Sequence, residues 1–170
     1  MIRIAIDGPS GSGKSTLAKA VARELGIVYV DTGALYRAIG YHAFTRGVSP
    51  TDAAAVEALL PEIKLDIKYE DGTQFVYLNG ENLGERIRQP QISMYASAVS
   101  AIPAVRAFLL EMQKDIARKN SVVMDGRDIG TVIIPDADVK IFLSASNERR
   151  AQRRTEELRA KGMEARYEDV

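Results

Sequence analysis

The chain of 170 residues has no cysteine, no tryptophan and a single histidine, and its charges cancel. Without cysteine there is no disulfide, no thiolate metal centre and no thiol nucleophile, which fits a reducing compartment. Lys plus Arg and Asp plus Glu each total 23, so no global basic field draws the chain to nucleic acid or to an anionic membrane. No apolar run approaches the roughly 20 residues that span a bilayer, and the first apolar segment starts at Ile2 with no basic or long apolar stretch before it. A soluble, cytoplasmic protein is expected. His42 falls in a helical segment without a partner nearby, which makes it a packing or surface residue and not a catalyst. The length suits one domain with room for a small insert.

What is present is concentrated at Gly8, Pro9, Ser10, Gly11, Ser12, Gly13, Lys14, Ser15 and Thr16. Gly8, Gly13, Lys14 and Ser15 fit the phosphate-binding pattern G-x-x-x-x-G-K-[ST]. Its context is also right, because Ile2, Ile4 and Ile6 alternate as a short buried strand would and helical periodicity follows. Glycines let successive N–H groups turn inward as an anion nest, and the following helix adds the partial positive charge of its N-terminus. Lys14 suits the β- and γ-phosphates of a nucleoside triphosphate, and the Ser15 hydroxyl suits Mg²⁺.

After this loop, Leu17, Val21 and Leu25 repeat at helical spacing, and Gly26 stands where a left-handed cap would. A strand over residues 27–30 and a helix over 34–46 follow, with another short helix opening at Pro50-Thr51-Asp52. The pattern then changes. Ile63, Leu65, Ile67 and Tyr69 alternate with polar residues, and Asp71-Gly72 and Asn79-Gly80 supply hairpin turns, so residues 63–84 read as a three-stranded antiparallel insert. Helices return at 91–100 and after Pro103, where Val105, Phe108, Leu109, Met112 and Ile116 make an apolar stripe that reads as core. Strands at 121–124 and 139–143 and a charged helix from about Ser146 complete an α/β fold with a mostly parallel sheet.

Three charged loops follow three strands: the nest, Asp31 to Arg37, and Asp125 to Gly130. In a parallel sheet such loops converge on one crevice. Asp125 suits a Mg²⁺ site, directly or through water, although Asp-Gly is also ordinary turn chemistry. Arg37 and Arg127 suit a second anion, relieving the repulsion between two phosphates that must meet. A phosphate acceptor needs no strong base, since it is mostly dianionic at neutral pH. Arg150 and Arg154 share one helix face and could bracket a triphosphate; spacing alone favours a solvated helix with ion pairs such as Arg150 with Glu157.

With Asp31-Thr32-Gly33-Ala34-Leu35-Tyr36-Arg37, Asp125-Gly126-Arg127-Asp128-Ile129-Gly130-Thr131-Val132, the nest and the stretch Ser97 to Arg106, the whole chain resembles the bacterial-type cytidylate kinases. The resemblance implies a P-loop three-layer fold with helices on both faces of the sheet: residues 1–62 and 85–145 as core, 63–84 as a substrate-side insert, and 146–170 as the first arm of a mobile lid. It implies a monomer that moves the γ-phosphoryl group of ATP to CMP or dCMP with Mg²⁺. By motif, Lys14, Arg37 and Arg127 would be catalytic, with Gly8 to Thr16, Arg150 and Arg154 on ATP and with Ser15 and Asp125 on the metal. Thr32, Arg37 and Arg127 would hold the acceptor phosphate, and Ser97, Arg106 and Asp128 would read cytosine. The family continues into a last strand and helix beyond Val170, so a truncated or partly observed polypeptide, or a weakly active one if complete, is expected. A related kinase of UMP and a nucleotide-binding module that transfers nothing are the competing readings.

Overall fold

The computed structural model describes residues 1–160, 162 and 167. In chain order the first elements are β1 (Arg3–Asp7), α1 (Lys14–Leu25), β2 (Val28–Asp31), α2 (Thr32–Thr45) and α3 (Ala53–Leu59). A short antiparallel run follows in β3 (Leu65–Glu70), β4 (Thr73–Leu78) and β5 (Glu81–Asn82). Then come α4 (Pro90–Val99), α5 (Pro103–Lys119), β6 (Val122–Gly126), β7 (Val139–Phe142) and α6 (Asn147–Ala160).

Strands β2, β6, β1 and β7 lie in that order in one sheet, and every pair is parallel. Both faces are covered at β1 and β6, whereas the edge strand β7 is largely exposed, and the two-residue period of the strands divides their side chains between the faces. Ile4, Ile6 and Val123 pack with Ala18 and Ala22 of α1, whereas Ala5, Val122 and Met124 pack with Ala117 of α5 and with Ile129 and Ile133. All the C-terminal strand ends therefore point to one edge, and the loops after β1, β2 and β6 meet there.

The antiparallel sheet runs β3-β4-β5. Its turns carry φ of 49° and 74° at Asp71 and Gly72, and 51° and 85° at Asn79 and Gly80, the paired left-handed residues of tight hairpins. Val76, Leu78 and Leu83 bury into the same apolar cluster as Leu35 and Ile39 of α2, Ile92 of α4 and Leu109 of α5. Ile63 is buried there as well but precedes β3, which begins only at Leu65. Helices α2 and α4 approach closely at Gly40, where a Cβ would stand 2.8 Å from the Ala96 amide nitrogen.

Two sequence expectations are corrected. Phe108 is not core: it is 36% exposed, because the buried face of α5 follows Val105, Leu109, Gln113 and Ala117 at four-residue spacing and leaves Phe108 on its rim. Gln113 takes the inner place, and its amide donates to the Leu109 carbonyl at 3.1 Å. His42 does have a nearby carboxylate, Glu62, 3.7 Å from its Nε2 and too far for a hydrogen bond; the ring is buried as a packing residue, and burial lowers its pKa. Among the described residues no single helix is long and apolar enough to cross a membrane.

Candidate active site

Strand β1 ends in Asp7, and the chain turns at once into the glycine-rich loop. Gly8 has φ of 150°, and a Cβ there would stand 2.0 Å from the Leu143 carbonyl oxygen, so no other residue fits against the end of β7. Its N–H donates to the Gly126 carbonyl at 3.3 Å, which ties the loop to β6. Gly13, in the left-handed conformation, caps α1. Inside the loop the Ser12 hydroxyl is buried without a hydrogen-bond partner among the described residues. An orphaned buried donor in a concave loop suits an anion. Lys14 Nζ donates to the Pro9 carbonyl at 2.8 Å. Burial lowers the pKa of that amine, with Arg127 acting the same way, while Asp125, Asp7 and Asp31 oppose.

Asp125, buried on β6, receives the Ser15 hydroxyl on Oδ2 at 2.7 Å and the Tyr29 hydroxyl on Oδ1 at 3.3 Å. Burial, and then the neighbouring Asp31, push its carboxyl up to about 6. A hydroxyl and a carboxylate side by side are hard oxygen donors of the kind Mg²⁺ takes together with water and phosphate oxygens. No cluster of three or more His, Asp or Glu side chains fit for a metal stands among the described residues. The donor set thus fits an ion held jointly by protein and nucleotide, not a closed protein cage.

On the acceptor side, Asp31 caps α2 by accepting the Ala34 N–H on Oδ1 at 3.1 Å. Its Oδ2 lies 3.9 Å from Arg37 and 3.6 Å from Arg88. The Thr32 hydroxyl is buried and donates to the Asp125 carbonyl at 2.7 Å. Arg127 is exposed beside it and makes no ion pair or hydrogen bond among the described residues. Further out, Arg106 pairs with Asp128, donates to the Ser100 carbonyl at 3.2 Å and lies 5.9 Å from the ring centre of Tyr36. Ser97 is exposed on α4, and its carbonyl accepts the Ser100 hydroxyl at 2.7 Å.

The first turns of α6 lie over the loop. A Cβ at Gly11 would meet that of Arg150 at 3.5 Å, and Arg153 donates to the Gly11 carbonyl at 3.4 Å. Arg150 bonds Asn147 and keeps a buried Nε without a partner among the described residues. Arg154, not Arg150, pairs with Glu157, at 3.0 Å.

Four residues at this edge escaped the sequence reading. The Asp7 carboxylate, buried, accepts the N–H groups of Ile129 and Gly130, each at 2.8 Å. A lone acid ending an apolar strand was its signal, the same one that marked Asp125. Tyr29, Arg88 and Arg153 left no local signal, since their partners are distant in sequence.

A family model described as cytidylate kinase matches residues 4–170. The cytidylate kinase of Caldicellulosiruptor bescii is 49% identical over 166 residues, 98% of this chain and 74% of that protein. That of Flavobacterium johnsoniae is 49% identical over 174 residues, 99% of this chain and 76% of that protein. A bifunctional pantoate ligase/cytidylate kinase of Synechococcus sp. is 46% identical over 94% of this chain and 33% of its own length. The solved structure of TT1252 from Thermus thermophilus covers 99% of this chain and 82% of its own at 21% identity and a TM-score of 0.38, a likeness that carries no argument. A family model over residues 4–170 and relatives 49% identical across nearly the whole chain agree with a phosphate loop whose Ser15 meets the buried Asp125, and the chain belongs to the cytidylate kinase family.

Proposed function

We propose that the protein transfers the γ-phosphoryl group of ATP to CMP or dCMP, giving ADP and CDP or dCDP. The observation that carries this reading is the Arg106–Asp128 pair, one residue beyond Arg127 and on the same strand-end edge as the phosphate loop. A carboxylate there accepts from the cytosine amino group, whereas uracil would turn a carbonyl toward it. Ser97 completes the polar set.

In this reading, Gly8 to Thr16 cradle the ATP phosphates, and Lys14 follows the charge that develops between the β- and γ-phosphates. Arg150 and Arg154 close over the donor from α6, joined by Arg153. Thr32, Arg37 and Arg127 hold the acceptor phosphate in line with the γ-phosphorus. One acceptor oxygen forms the new P–O bond as the bond to the β–γ bridging oxygen breaks, and ADP leaves with that electron pair. Ser15 and Asp125 would hold Mg²⁺, which when bound neutralises phosphate charge. The residues themselves bind and orient; none has to act as a base, because the acceptor phosphate already carries its nucleophilic oxygen.

Residues 1–62 and 85–145 serve as the core of this machine, 63–84 as its substrate-side insert and 146–170 as a lid arm, of which 161, 163–166 and 168–170 lie outside the described residues. The lack of cysteine fits a reducing, cytoplasmic setting, and a monomer working on small nucleotides is part of the same proposal. Phosphorus NMR of the protein with ATP, Mg²⁺ and CMP tests the reaction: paired growth of CDP and ADP signals is expected, and ADP without CDP would refute it.

A further inference from the structure

We propose that Gln74 is a positioning residue for the acceptor side: its amide closes the open edge of β2 at Asp31 and so fixes the first turn of α2, beside which Thr32 and Arg37 stand. This rests on the reading that those two residues meet the acceptor phosphate.

Strand β2 is an edge of the parallel sheet, bonded to β6 on one side only. An edge strand leaves N–H and C=O groups on its outer side in need of partners. Val28 turns its N–H to the β6 side, onto the Ser121 carbonyl at 3.0 Å, and the alternation of the strand then sends both backbone groups of Asp31 outward. One side chain meets both. The Asp31 N–H donates to the Gln74 side-chain oxygen at 3.0 Å, and the Gln74 amide donates to the Asp31 carbonyl at 3.1 Å. An amide offers a donor and an acceptor side by side, so Gln74 does at one residue what a neighbouring strand would do along a row.

Gln74, Val76 and Leu78 lie two apart and share one face of β4, and that face buries Val76 and Leu78 beside Leu35 and Ile39 of α2. An amide at the rim of an apolar face is explained by the two backbone groups it satisfies. Because the same burial holds β4 in place, the amide is a fixed anchor.

What it anchors is the start of α2. Asp31 ends β2 and caps α2, with Oδ1 accepting the Ala34 N–H at 3.1 Å. Thr32, next in the chain, is buried and donates its hydroxyl to the Asp125 carbonyl at 2.7 Å. Arg37 returns to the same turn, its Nη1 3.8 Å from where a Cβ on Gly33 would stand. With Gln74 holding the backbone of Asp31 and Asp125 holding Thr32, the turn is fixed from two sides. Any shift of it moves both acceptor contacts together, and a misplacement of about 1 Å can cost on the order of 100-fold in rate.

The test compares wild type with Gln74→Met, which keeps the length of the side chain and removes both hydrogen bonds, and with Gln74→Asn, an amide one methylene short. KM for CMP is expected to rise roughly 10-fold in Gln74→Met, with KM for ATP within about twofold, and to rise less in Gln74→Asn. A merely structural role lowers the melting temperature and leaves that split unmoved. Hydrogen exchange at the Asp31 N–H, followed by NMR, reads the anchor itself, and exchange at least about tenfold faster in Gln74→Met than in wild type is expected. An unchanged exchange rate, a KM for CMP that does not move, or equal rises in both KM values, in whichever variant melts near the wild-type temperature, overturns the assignment. If wild type turns over another monophosphate instead of CMP, the specificity reading fails while the comparison, run with that nucleotide, still decides Gln74. Should wild type phosphorylate no monophosphate, the reading of the site fails and this assignment falls with it, whatever the exchange rate.

Discussion

The hydroxyl of Ser15 donates to the carboxylate of Asp125 across 2.7 Å, joining the first turn of α1 to the end of β6. That carboxylate is buried beside Asp31, and its pKa stands at about 6 against an ordinary 3.8. The folded protein therefore holds the Asp125 proton more tightly than the unfolded chain does. The stabilising contribution is complete below about pH 4 and disappears as pH rises through 6, leaving an ionised buried group that costs on the order of 2 kcal/mol. Asp125→Asn should accordingly raise the melting temperature at pH 8, without nucleotide or Mg²⁺, by about 5 °C. The gain should shrink toward pH 4, while phosphoryl transfer is lost. Melting curves across that range check both the sign and the window; a variant less stable than wild type at pH 8 contradicts them.

Lys14 is the one cation inside the loop, and its amine rests on the Pro9 carbonyl. Its role in the transition state should make Lys14→Ala lose about 3 kcal/mol in kcat/KM, roughly 100-fold, by comparison with deleted oxyanion donors. Steady-state kinetics decide the matter, and an unchanged kcat/KM removes Lys14 from the mechanism.

Asp7 holds the turn that presents Arg127 and Asp128 through two N–H bonds. Asp7→Asn keeps the size but replaces one acceptor with a donor, so one of the two N–H groups loses its partner, at a cost of about 1–3 kcal/mol. The acceptor side should suffer first: KM for CMP rises about tenfold, more than KM for ATP. Equal changes in both constants would contradict this acceptor-side role.

Asp128 presents an acceptor where a cytosine amino group would donate. Asp128→Asn can offer a donor to uracil instead, and the preference for CMP over UMP should fall roughly 10- to 100-fold. The ratio of the two kcat/KM values measures it, and an unaltered ratio would move cytosine recognition elsewhere.

The order of elements was legible because local rules governed it. Gly8 and Gly13 sit where the backbone needs conformations other residues avoid, and Asp71-Gly72 and Asn79-Gly80 can hardly be anything but hairpin turns. Phe108 misled because a helical stripe defines a face only to within a residue, and α5 turns that face toward Gln113. Arg88, Gln74 and Arg153 were invisible for a different reason. Gln74 meets Asp31 across 43 positions and Arg153 meets Gly11 across 142, and no local pattern encodes such a meeting. The phosphate loop is written in one continuous segment, while Asp125, the α6 arginines over that loop and the acceptor half are brought to it by folding.

The central claim is that this edge of the sheet joins ATP to a cytosine monophosphate. Initial rates of ADP formation with CMP, dCMP, UMP and AMP as acceptors, each with ATP and Mg²⁺, test it most directly. The account predicts rapid turnover of CMP and dCMP, with kcat/KM for UMP at least about 100-fold lower and AMP inert. Turnover of UMP or AMP equal to that of CMP, or ATP binding with no diphosphate formed from any acceptor, would contradict it.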